Sequence, residues 1–476
     1  MSERYDAVVV GSGPNGLAAA IELVRRGLHV HLIEGHDVIG GGLRTAELTL
    51  PGYRHDVCST AHPFVEMSPF FSALPLTEFG LQMVTSPAAV AHPFDDEPPA
   101  ILERSVEQTA TSLGPDAEAY RRLMNPLVKA GAKTVPSVLG PLWRVPRHPL
   151  SVARFGATAI RSGKALANRF RTERAKGLFA GLAAHSAMPL NRAFVGGVAA
   201  TLGIAGHTVG WPIVAGGSAS LAQALSAYFV SLGGSVETGR WVNSLSDIPR
   251  TDAVLLDVTP RQFASLAKEQ LSESTTQRYL QWVYGPASFK LDLAVSEPIP
   301  WRNRELQRTA TVHLGGSYRD IAKAEWEVWH GRMVDGPFVL LNQATLFDPS
   351  RAPQDGHTVW AYCHVPARWD GDATEAIVSQ IDRFAPGFRD TILASHVMTP
   401  LDYERYNPNN VGGAIGGGAM TVGQMFRRPT AGPQPYATEI PHVYLCSAST
   451  PPGAGTHGMC GYHAARTALR KTFGKG

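Results

Sequence analysis

The segment YDAVVVGSGPNGLAAAIELVRRGLHVHLIEG constrains this chain more than any other. Residues 5–10 read as a short buried strand, residues 14–26 switch to helical periodicity, and Gly27 is placed to end the helix. Between strand and helix, Gly11 permits a tight turn, Gly13 lets the backbone approach a phosphate, and Gly16 allows the helix to pack closely on the strand; Pro14 and Asn15 open the helix. A helix N-terminus presents unpaired N–H groups and the positive end of its dipole, so a pyrophosphate is the ligand that fits there. A second strand over 28–33 ends at Glu34, eighteen residues past Gly16, where an acid accepts hydrogen bonds from a ribose diol. Strand, turn, helix, strand and acid in this order predict a dinucleotide-binding βαβ unit.

The next segment, GHDVIGGGLRTAEL, is a second glycine-rich turn running from Gly35 through Gly41, Gly42 and Leu43 to Arg44 and Thr45. Glycines there keep the backbone close to a ligand, and an arginine neutralises phosphate charge. This turn resembles the GGRxxT turn of the large flavin family that includes amine oxidases and phytoene desaturases, in which it lies along the pyrophosphate. The resemblance implies noncovalently bound FAD, with Gly11, Gly13, Pro14, Asn15, Gly16, Glu34, Gly35, Gly41, Gly42, Leu43 and Arg44 as cofactor-binding residues.

Near the other end, a strand over 442–446 leads into SASTPPGAGTHG and a helix opening near Met459. A second helix N-terminus is thereby offered to a ligand, suited to a flavin pyrimidine that gains negative charge on reduction. Residues 412–469 resemble the C-terminal signature of the phytoene desaturase-like flavoproteins, in the branch named after pyridine nucleotide-disulfide oxidoreductase domain protein 2. Gly418, Met420, Gln424, Phe426, Arg428 and Pro429 fit its first half, and Tyr436, Thr438, Tyr444, Cys446, Pro452, Gly453, Gly455, Gly458, Gly461, Ala464 and Ala465 its second. Ser447, Pro451, Ala454, Tyr462 and His463 depart from it, which reshapes the pocket. The resemblance adds Ser447, Thr456, Gly458 and Met459 to the flavin contacts.

The stretch from Gly216 to Pro260 reads as a helix, a Gly-Gly turn, a strand around Trp241 and Val242, and an apolar strand ending at Asp257. It resembles the third βα region of the same fold, where the Val242 backbone would meet adenine. The fold class is therefore α/β: a Rossmann-type FAD-binding domain built from 1–65, 210–285 and 420–476, interleaved with an α+β substrate domain of mixed sheet plus helices from 66–209 and 286–419. The two distant glycine-rich turns are expected to meet across one elongated cavity.

For chemistry, ASFKLDLAVSEPIPW alternates, with Phe289, Leu291 and Leu293 facing one way and Lys290 and Asp292 the other. Lys290 resembles the amine oxidase lysine that holds a water beside the flavin; the plain alternative is a half-exposed strand with a solvated lysine. His62 and His457 are further candidates to touch the flavin or act as acid or base. The implied reaction is removal of hydride from a hydrophobic, isoprenoid-like or lipid-like small molecule, with oxygen or a quinone as electron acceptor. Two rivals stay open: an amine oxidase acting on a C–N bond, and a non-enzymatic lipid or prenyl-protein carrier on the same fold.

Net charge is only +3, which gives no reason to expect nucleic acid. Residues 101–200, however, hold fifteen Lys or Arg against five Asp or Glu. Within that stretch, 136–176 mixes basic residues with Leu139, Leu142, Trp143, Val152, Phe155, Ile160, Leu166 and Phe170. It reads as a solvated helical face, a lid, or a surface for peripheral membrane contact. Four cysteines without a CxxC pair, and no leader-like start or spanning apolar run, are the pattern of a reduced cytoplasmic protein. Oligomeric state is left open, and no metal-ligand spacing appears.

Overall fold

A computed structural model describes residues 4–141, 145–430 and 434–475. Its first sheet has five strands in the order Val443–Leu445, Thr251–Leu256, Tyr5–Val10, Val30–Ile33, Ser235–Glu237, and all neighbours run parallel. The apolar runs in these strands suit a parallel sheet covered on both faces, where no side is left to water. Helices Pro14–Val24, Ala219–Ser231 and Met459–Lys471 pack together over it. The first and last of these touch at their backbones: a Cβ on Gly461 would lie 1.8 Å from the Asn15 carbonyl oxygen. The helix of the first glycine turn and the C-terminal helix are thus brought to one place.

The second sheet has seven strands, ordered Ile392–Met398, Ala287–Val295, His357–Val365, Val339–Asn342, Thr309–Leu314, Ala88–His92, Ala100–Glu103. Its neighbours are antiparallel except Thr309–Leu314 beside Ala88–His92. The alternation read in 287–295 is present, but its half-exposed alternative is overturned, because all nine residues are buried. Phe289, Leu291 and Leu293 join an apolar core with Val359, Ala361 and the helix Thr374–Phe384. The opposite face carries Ser288, Lys290 and Asp292, paired across to His364, Tyr362 and Trp360. Burial on both sides follows because strand Arg54–Asp56 and helix Pro400–Tyr406 close over Lys290 and Asp292, while Trp360 and Tyr362 pack against a helical layer that includes Glu173–Ala184 and Val195–Thr208.

Two expectations about local structure need correction. The strand foreseen around Trp241 and Val242 is Ser235–Glu237 instead, because Gly239 at φ +73° turns the chain away. The basic stretch is no single amphipathic face: it is divided among the end of helix Ala117–Val138 and helices Pro149–Ala159, Gly163–Ala167 and the start of Glu173–Ala184. Leu139, Phe155, Leu166 and Phe170 point into the core, whereas Ile160 is exposed; Leu142 and Trp143 lie outside the described residues. Among the described residues no helix is long and apolar enough to cross a membrane.

A buried ion network ties the segment after strand Val339–Asn342 to strand Arg54–Asp56 and to the turn before helix Ala219–Ser231. Arg351 lies 2.9 Å from both Asp56 and Asp348 and donates to the Val214 carbonyl. Asp56 also accepts from Thr45 and from the Ser218 amide, and Asp348 from the Gly216 amide. Burial alone would raise the Asp56 carboxyl, but Arg351 and these donors outweigh it and hold the group below the usual range.

Candidate functional site

A cavity of about 640 Å³ runs along the C-terminal ends of the parallel strands and on to the polar face of the second sheet. At one end it is walled by Gly11, Gly13, Pro14 and Asn15, with Glu34 and Gly35 beside them. Gly41, Gly42, Leu43 and Arg44 continue the wall, and Ser447, Gly455 and Thr456 close it from the C-terminal segment. Trp211, Leu340, Trp360, Tyr362, His185 and His364 form a chamber at the far end. Gly13 and Thr456 therefore border one space although 443 positions separate them.

The glycines are dictated by distance. A Cβ on Gly13 would lie 2.7 Å from Asp257 Oδ2, one on Gly16 would lie 1.9 Å from the Gly11 carbonyl oxygen, and one on Gly41 would lie 3.0 Å from Gly13 Cα. Gly16 thus serves helix–strand packing and does not line the cavity, and its amide donates to Asp257 Oδ2 at 3.0 Å. Asn15 Oδ1 and Thr259 Oγ1 are buried on residues of the cavity wall without a hydrogen-bond partner. Orphaned polar atoms beside a glycine cradle fit a dinucleotide, whose phosphates and ribose supply the missing partners.

Glu34 is already oriented. It accepts from the Ser12 amide at 3.0 Å, the Ser12 hydroxyl and the His36 amide at 3.0 Å, and pairs with Arg44 Nη2 at 3.2 Å. Arg44 also donates to the Val38 carbonyl and sits 5.2 Å from the Tyr406 ring centre. Arg44 therefore holds the acid in place while itself bordering the cavity. Trp241 covers Gly35, where a Cβ would lie 2.7 Å from the indole, so glycine is required for this aromatic wall; Val242 borders the cavity beside it.

Three further candidates also take other places. His62 is buried, and its Nε2 donates to Ser218 Oγ at 2.7 Å while that hydroxyl donates to the Ser59 carbonyl. Burial pulls the His62 imidazole down to about 4, so it is a neutral clasp between the 59–62 loop and helix Ala219–Ser231, behind the cavity wall. His457 is likewise pulled to about 4 by burial, and its Nδ1 accepts the Met459 amide at 3.0 Å. That bond uses the donor expected to face a ligand, and neither Gly458 nor Met459 lines the cavity; Gly458, at φ +66°, caps the helix. Lys290 is fully buried with its ammonium on Asp292, and it lies behind the cavity wall formed by Ser288, Trp360 and Tyr362. The solvated reading of this lysine is overturned.

Several residues at the cavity were not among the site residues expected from the sequence. Asp257 is buried beside Gly13 and Gly16, and burial together with the Glu34 charge pushes its carboxyl up to about 7. Arg428 is buried in the wall, with no carboxylate partner among the described residues; burial lowers its guanidinium to about 10. The segment Ile415–Met420, which no strand precedes, borders the cavity as a loop. His364 and Glu325 meet there from 39 positions apart, a pairing without motif spacing.

Fold and cavity define a Rossmann-type dinucleotide-binding protein with a second, substrate-sized chamber. Residues 9–73 match the NAD(P)-binding Rossmann-like domain family. The mouse (Mus musculus) pyridine nucleotide-disulfide oxidoreductase domain-containing protein 2 is 25% identical, over 99% of this chain and 94% of its own length. A 4,4'-diapophytoene desaturase of Staphylococcus haemolyticus is 27% identical over 32% of each chain. Among solved structures, an oxidoreductase from Methanosarcina mazei superposes with a TM-score of 0.66 at 16% identity, covering 97% of this chain and 99% of that one. A putrescine oxidase bound to putrescine superposes at 0.61 with 18% identity, covering 98% of each. Over nearly its whole length the chain is similar to pyridine nucleotide-disulfide oxidoreductase domain-containing protein 2, and over about a third of it to a phytoene-type desaturase.

Proposed function

We propose that this protein is an FAD-dependent oxidoreductase that removes hydride from a hydrophobic small molecule, dehydrogenating a carbon–carbon bond. The observation that carries the reading is the single cavity joining the Gly13 turn, the Glu34 acid and the Thr456 loop to an aromatic chamber. Bound FAD supplies the hydride acceptor. The chain's own part is to hold the adenosine end through Glu34, admit the phosphates along glycine backbone, and surround the substrate with Phe64, Leu202, Trp211, Leu340 and Trp360 so that water is excluded.

Noncovalent attachment is supported by Cys58, the cysteine bordering the cavity, whose thiol burial pushes up to about 11 and so keeps unreactive. The desaturase relative favours carbon–carbon chemistry, and the putrescine oxidase likeness favours oxidation of a C–N bond as the second reading. An absorption spectrum of the purified protein tests the cofactor: flavin bands that pass into the supernatant on denaturation are expected. Colourless protein that does not take up added FAD would refute the reading and favour a carrier. Anaerobic mixing with polyenes and with amines separates the two chemistries, and bleaching by amines alone would reject the first.

A further inference from the structure

Resting on the flavin-dependent reading, we propose that His364, oriented by Glu325, accepts the proton that leaves the substrate in the same oxidation that removes the hydride. His364 stands on strand His357–Val365, on the face of the sheet that borders the chamber. Its Nδ1 lies 2.9 and 3.0 Å from the two carboxylate oxygens of Glu325, which helix Tyr318–Trp329 brings in from the far side. Nδ1 therefore carries the proton toward Glu325, and Nε2 is left with its lone pair. Nε2 has no protein hydrogen-bond partner among the described residues, and the residue lines the cavity.

The other histidine of the chamber marks the contrast. His185 faces His313 with Nε2 to Nε2 at 2.9 Å, and burial drives it down to about 3, helped by the nearby His364. His313 and His92 behind it are likewise held neutral by burial. None of the three has a carboxylate partner among the described residues, so none can readily take up charge in that setting. His364 has one, and a carboxylate on the far nitrogen stabilises an imidazolium as it forms.

The step balances. One substrate C–H bond breaks and its electron pair leaves with the hydrogen as hydride to the flavin, which is reduced. The bond to hydrogen on the neighbouring atom breaks the other way: its electron pair forms the new double bond, and the proton passes to His364 Nε2. The substrate is thus a mainly apolar molecule that enters uncharged and gives up a proton within reach of Tyr362 and His364.

The test uses 4-nitrophenol, a neutral aromatic probe whose phenolate absorbs visibly, titrated into the holoprotein at pH 6. Wild type is expected to bind it with proton transfer and a phenolate band, whereas H364Q binds about tenfold or more weakly and without ionisation. E325Q keeps the imidazole but should lose the downfield Nδ1–H proton line of His364 in the NMR spectrum and most of the phenolate, which a merely structural glutamate would not produce. Absence of phenolate in wild type, or its undiminished appearance in H364Q, overturns the assignment. Flavin content and melting temperature are read on the same samples. Protein that cannot take up FAD fails the flavin reading, while the probe's own band still reports on His364.

Discussion

Replacing Asp257 with asparagine isolates the cost of the buried carboxylate at the dinucleotide turn. The amide of D257N would keep an oxygen for the Gly16 N–H while removing the charge that burial and Glu34 oppose. A carboxyl raised from 3.8 to about 7 by folding is penalised wherever it ionises, and the penalty reaches about 4 kcal/mol at pH 8. The sign is fixed by proton uptake. The folded chain binds the proton more tightly than the unfolded chain, so wild-type stability falls as pH rises from about 4 to about 7 and is level beyond. D257N has no such slope. Urea unfolding of the cofactor-free protein, followed by tryptophan fluorescence, should find D257N more stable than wild type by about 4 kcal/mol at pH 8 and only about 2 kcal/mol at pH 5. An equal difference at the two pH values, or a loss of stability at pH 8, would refute the assignment of a strained carboxylate to this position.

G461A places a methyl group 1.8 Å from the Asn15 carbonyl oxygen and must separate helices Pro14–Val24 and Met459–Lys471, so soluble expression and melting temperature should both fall sharply. R351M leaves Asp56 and Asp348 without their cation; a loss of about 3–5 kcal/mol in urea is expected. Because Asp56 is held low by Arg351 and its donors, the wild-type stability from that carboxylate is present at neutral pH and disappears on acidification, a dependence R351M should lack. G13A crowds Asp257 Oδ2 at 2.7 Å on the cavity wall, and calorimetric titration with FAD should show at least a tenfold loss of affinity. An undiminished affinity would place the dinucleotide elsewhere.

What could be read from residues alone was local and periodic. The order of strand, Gly11–Gly16 turn, helix and Glu34 carries the dinucleotide unit because each part is set by its neighbours along the chain: glycine where backbones touch, apolar runs where a strand is buried. The C-terminal signature likewise marked the segment that returns to the first helix, and the backbone contact of Gly461 with Asn15 shows why glycine stands there. What the side chains at the far end do was decided only in three dimensions. His62 and His457 look like catalytic candidates by their positions in the sequence, yet burial and hydrogen bonds within the protein make them clasps. Lys290 is engaged by Asp292, two residues along its own strand. Asp257 acquires its raised pKa from burial against a helix end, and His364 acquires Glu325 from another element altogether. Desolvation and charge pairing depend on which surfaces close over a group, and that is settled by packing between segments hundreds of residues apart.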